Sequence, residues 1–154
     1  MKHIVMHLAL LLLGLVLIGH AAIHLGIIPG GMPGPDGRTG WSGHSGLLDS
    51  FLSAPVVRAI AVILVAGTIV FFVAGGLGLF GVPFLKERWK GVTIVACVLS
   101  LLLFAVTWTG IVPHPSDAIY GPVISGTVLI GLLVDLLLER TILQPKARHV
   151  RNGL

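Results

Sequence analysis

The chain has 154 residues, of which 55% are hydrophobic and 10% charged, with a formal net charge of +4. A soluble domain carries about 25% charged residues, so this composition excludes an ordinary soluble domain, a disordered chain and a nucleic-acid binder of the basic-patch type, and leaves an integral membrane protein. Cys97 is the only cysteine, which excludes an internal disulfide and a cysteine-based zinc site.

Four apolar stretches follow in chain order, at about residues 4–28, 56–80, 91–112 and 118–138. Each holds about 20 residues or more, enough at ~1.5 Å per residue to cross a ~30 Å hydrocarbon core. In lipid the backbone must satisfy its own hydrogen bonds, so these read as helices. Runs such as Leu10-Leu11-Leu12-Leu13 lack the alternation of a membrane barrel strand. The first stretch begins like a secretory signal, with Lys2 and a leucine-rich core, but outruns the usual 7–15 apolar residues and is read as a retained helix. The expected fold is all-α: one integral membrane four-helix bundle, with a Gly/Pro-rich extracytoplasmic loop at 29–55 and a basic cytoplasmic tail at 139–154.

Charge sets the expected orientation. Lys2, Lys86, Arg88, Lys90, Arg140, Lys146, Arg148 and Arg151 fall on one side, and Arg38 and Arg58 on the other. The positive-inside rule therefore places both termini in the cytoplasm, with a prokaryotic inner membrane as the expected location. Trp89 marks the inner interface, and Trp108 and Tyr120 the outer one. Small residues four apart recur in every span, at Ala22/Gly26, Ala74/Gly78, Ala96/Ser100 and Gly121/Ser125, the pattern that lets membrane helices approach closely. Pro83 is expected to break the second helix. In the 29–55 loop, residues 47–52 suit a short interfacial helix starting near Ser45 or Gly46, and Trp41 suits a headgroup anchor.

Chemistry has few places to sit. His20 and His24 lie four apart on one helix face, a spacing that can chelate a metal or present imidazoles to a haem or a quinone. These two are the candidate cofactor ligands. His24, His44, His114 and Asp117 form a candidate outer metal set suited to zinc, copper or iron, with Asp36 and Asp49 on the same side. His20 has no histidine partner at its depth in the other spans, which disfavours a bis-histidine haem inside one subunit. Toward the inner side, Asp135 and Glu139 share a helix face, with Lys86, Arg88 or Lys90 in reach and His3 and His7 approaching from the first helix. This is a candidate intramembrane polar or ion-pair site. Nucleophilic catalysis finds no support: Cys97 sits among apolar neighbours, and Ser100 and Ser125 lack an evident base. Replacing His24 and His114 together is expected to leave the bundle folded.

The run Gly43-His44-Ser45-Gly46-Leu47-Leu48 resembles the entry to the second span in a loosely defined, largely uncharacterised group of prokaryotic four-span membrane proteins. So do the glycine-rich Val73–Leu79 segment, Trp89, Ser100–Phe104 followed by Trp108, and Gly131–Asp135. In outline the group is DoxX-like. The resemblance covers about residues 43–135, departs by placing Gly46 where the group tends to have tryptophan, and implies an architecture without a mechanism. The leading functional expectation is a small non-catalytic membrane subunit, an accessory, assembly or stabilising component of a larger complex or homo-oligomer. The alternatives are a redox- or metal-associated protein using the outer histidines, and a small carrier or channel built by oligomerisation with Asp135 on its path. Expected partners are the lipid bilayer and other membrane subunits or further copies; nucleic acid is not expected.

Overall fold

The computed structural model describes residues 2–27 and 40–151. Asp36, Arg38 and most of the glycine- and proline-rich part of the 29–55 loop lie outside the described residues, as do the side chains of His3, Asp117 and residues 142–150. Among the described residues, four helices are long and apolar enough to cross a membrane: Ile4–Ile23, Ala54–Leu79, Trp89–Gly110 and Tyr120–Thr141. They belong to α1 (Lys2–Ile23), α2 (Ala54–Leu79), α4 (Trp89–Thr107) and α5 (Tyr120–Arg151), with a single turn, α3 (Pro83–Lys86), between α2 and α4. The fold is thus an all-α four-helix membrane bundle.

The helix ends follow local chemistry. Helix α1 tightens into a 3-10 turn at His24–Ile27. Extended Ser53 precedes α2, and a proline in its first turn fits there because the first-turn N–H groups have no intrahelical partner. That start lies two residues before the apolar stretch. At its other end Gly81 takes φ +89°. Gly81 N–H donates to the Gly78 carbonyl (3.1 Å) and Val82 N–H to that of Leu77 (3.2 Å), a complete Schellman cap. Gly81 therefore ends α2, and Pro83 opens α3 instead of breaking the helix. Helix α5 runs past the apolar stretch to Arg151, since Glu139 and Arg140 are good helix formers.

Helix α1 packs along α2, α2 along α4, and α4 along α5; the side between α1 and α5 is looser. The α1–α2 crossing is built on two glycines. A Cβ on Gly14 would lie 3.2 Å from the Gly76 carbonyl oxygen, and one on Gly76 would lie 2.8 Å from that of Gly14. Backbone thus meets backbone there, as small residues permit in lipid. Leu17, Ala21, Phe72, Ala96 and Cys97 form the core around mid-depth.

A cap closes one end. Strand β1 (Gly40–Trp41) pairs antiparallel with β2 (Ile111–Val112), matching Trp41 with Ile111. Ser42 N–H donates to the Gly110 carbonyl (2.8 Å), and Gly46 N–H to Thr109 Oγ1 (2.6 Å). The loop after α1 is thereby stitched to the loop after α4. Trp41 is not a headgroup anchor: it is fully buried with Val57, Ala61, Phe104 and Ile111, and its Nε1–H donates to the His44 carbonyl (2.7 Å). Strand pairing turns the indole inward. Residues 46–51 form successive turns rather than a helix. Ser45 starts them, its Oγ accepting from Leu48 N–H and its own N–H donating to Asp49 Oδ2. Phe51, 82% exposed, projects from them. This is the capped end; the opposite one, carrying Lys86, Arg88 and Lys90, is the basic end.

Candidate functional site

The most concentrated polar chemistry lies inside the bundle. His20 on α1, His24 on the turn that extends it, Ser100 on α4 and Ser125 on α5 are all buried. His24 Nδ1 lies 2.9 Å from the His20 carbonyl oxygen, and its Nε2 lies 2.9 Å from Ser100 Oγ. Ser100 Oγ lies 2.7 Å from Ser125 Oγ, which lies 2.9 Å from His20 Nε2. The four side chains form one chain of hydrogen bonds joining α1, α4 and α5.

Donor rules give that chain a direction. A carbonyl only accepts, so His24 carries a proton on Nδ1, and a neutral ring then offers Nε2 as acceptor. Ser100 donates its one proton to His24 Nε2. Ser125 donates to Ser100. His20 Nε2–H donates to Ser125. His20 Nδ1 is left as a bare lone pair, and it is the one ring nitrogen of the four without a partner. Aromatic edges surround the rings: His20 stands edge-on to His24 (centroids 4.8 Å apart) and to Phe72 (4.9 Å), and His24 edge-on to Phe104 (5.7 Å).

The small-residue pattern brings the two serines there. Ser100 and Ser125 end the Ala96/Ser100 and Gly121/Ser125 pairs, whose close α4–α5 approach sets the hydroxyls facing each other. Sequence reasoning assigned these serines no base at their depth, and the structure corrects this: His20 and His24 are at that depth. The signal lay in two patterns read apart, the histidine pair on α1 and serine as the second member of two small-residue pairs.

The described histidines of the candidate metal set, His24, His44 and His114, are not brought together, and the Asp117 side chain lies outside the described residues. Both ring nitrogens of His24 are engaged within the bundle. His44 is exposed and lies 3.4 Å from Asp49 Oδ2. His114 is exposed before the 3-10 turn Pro115–Ala118. Among the described residues, no group of three His, Cys, Asp or Glu side chains converges as metal ligands would.

At the basic end, Lys90 Nζ lies 2.6 Å from Asp135 Oδ2 and 2.6 Å from Glu139 Oε1. One lysine thus bridges two carboxylates a helical turn apart, tying α4 to α5. Both carboxylates are about half exposed. Arg88 lies over the Phe84 ring instead (4.8 Å), and His7 stays on the exposed face of α1.

No family model matches the chain, no curated protein matches it, and no solved structure matches it.

Proposed function

We propose that the protein is a small, non-catalytic integral membrane subunit, an accessory, assembly or stabilising component of a larger membrane complex or of a homo-oligomer. One observation carries this reading. The intramembrane histidines are turned toward other helices of their own chain, while α1 and α5 present long apolar faces that their own chain leaves uncovered. Leu12 and Leu15 on α1 are 62% and 59% exposed, and Ile130 and Leu137 on α5 are 64% and 62% exposed. Internal polar clasps with apolar outer faces suit a unit packed among lipid and neighbouring helices. In this reading the basic end is cytoplasmic, by the positive-inside rule, in a prokaryotic inner membrane.

Native mass spectrometry of the protein, extracted gently from its own membranes, tests the proposal. Co-purifying larger subunits support it, as does a bare homo-oligomer that carries no solute flux in liposomes; a homo-oligomer with flux refutes it in favour of a carrier or channel. A monomer carrying the added mass of a metal, haem or quinone refutes it in favour of a redox role.

A further inference from the structure

We propose that the buried His20–Ser125–Ser100–His24 chain is a proton relay, carrying one proton between two imidazoles inside the membrane. This goes beyond a subunit role and does not depend on it. The neutral network has a single bare base, His20 Nδ1, at one terminus. Every other polar atom along it is joined to the next at 2.7–2.9 Å.

The step balances without any further reactant than a hydrated proton. A hydronium ion gives its proton to His20 Nδ1 and leaves as water; His20 becomes an imidazolium with N–H at both positions. Its Nε2 proton then passes to Ser125 Oγ as the Ser125 proton passes to Ser100 Oγ and the Ser100 proton to His24 Nε2. Each proton moves along an existing hydrogen bond. His20 ends neutral with its proton on Nδ1, and His24 ends as the cation, still donating from Nδ1 to the His20 carbonyl. The charge is +1 before and after. No heavy atom has to leave its place, so the serine hydroxyls need only reverse.

The surroundings of the network are uncharged. Helix α2 faces the rings with Phe72, α4 with Ser100, Phe104 and, one turn away, the Cys97 thiol, and α5 with Ser125. None of these carries a formal charge. Among the described residues the charged groups lie toward the ends: Arg58, His44 and Asp49 at the cap, and Lys90, Asp135 and Glu139 at the basic end. A cation in the network has no carboxylate to hold it, so the proton is shared between the two rings. Toward the basic end lies a cavity of about 180 Å³ lined by Leu13, Leu17, Trp89, Thr93, Val128 and Leu132, among others. That lining is apolar, and Phe104 and the Trp41 cluster close the capped end.

Solid-state NMR of ¹⁵N-histidine protein in lipid bilayers tests the relay. Near neutral pH, His20 is expected as the Nε2–H tautomer and His24 as the Nδ1–H tautomer. As pH falls, the two rings are expected to respond together, sharing one proton. In Ser125→Ala the relay is cut, so His24 loses its response while His20 keeps its own; Ser125→Thr retains a hydroxyl and restores the joint response. The opposite tautomers overturn the proposal. So do two rings responding independently in the unmodified protein, no response before unfolding, or a His24 that still follows His20 in Ser125→Ala. The unmodified protein decides the matter even if Ser125→Ala does not fold.

Discussion

His24 is fully buried with both ring nitrogens bonded, whereas His114 is exposed. His24→Ala removes a large buried side chain and leaves the Ser100 hydroxyl without the acceptor it donates to, so it is expected to cost about 3 kcal/mol. His114→Ala is expected to stay within about 0.5 kcal/mol of the parent. Unfolding in mixed micelles with increasing SDS measures both; equal midpoints would show that His24 contributes nothing. The sequence-based expectation is that the double variant stays folded; the structure adds that any cost falls on His24. Trp41→Ala empties the centre of the cap and is expected to cost about 3–5 kcal/mol, with faster proteolysis at residues 40–53. The hydropathy of Trp41 was plain in the sequence, but its inward direction depends on pairing with Ile111, seventy positions away.

At the scale of elements, contact geometry decides what a helix face tolerates. A Cβ on Gly75 would collide with Thr93 Oγ1 but stand 3.5 Å from Thr93 Cβ. Gly75→Ala alone is therefore expected to weaken the α2–α4 packing by about 1–3 kcal/mol. Combined with Thr93→Ala, which removes the clashing oxygen, most of that loss should return. A purely additive double variant in the same SDS titration would contradict the contact. The Lys90 bridge is half solvated, so Asp135→Asn or Glu139→Gln is each expected to cost less than about 1 kcal/mol. Lys90→Met leaves two carboxylates facing each other one turn apart, and should cost more than either. The bridge was legible in advance because i, i+4 spacing puts both acids on one face. Which of Lys86, Arg88 and Lys90 reaches them was not, since that depends on how α4 is rotated against α5.

At the scale of the whole molecule, the two ends differ in charge. Cys97 is fully buried, so single introduced cysteines report topology without a cysteine-free background. Phe51→Cys, at the capped end, should react with an impermeant maleimide added outside intact cells. Phe84→Cys, at the basic end and 69% exposed, should react only after permeabilisation. The reverse pattern would overturn the proposed orientation.

Composition and run length by themselves determined a four-helix membrane bundle, because a lipid-embedded backbone has few alternatives to helix and the bilayer fixes helix length. Charge placement and the glycine and serine spacings also read directly from the sequence, since both act along one helix. Tertiary structure alone decided that the loops join as a cap, that Trp41 points inward, and that His20 and His24 meet two serines instead of the outer histidines. Those outcomes rest on contacts between residues about 70 to 105 positions apart, which the rotation and depth of neighbouring helices set and no local spacing encodes.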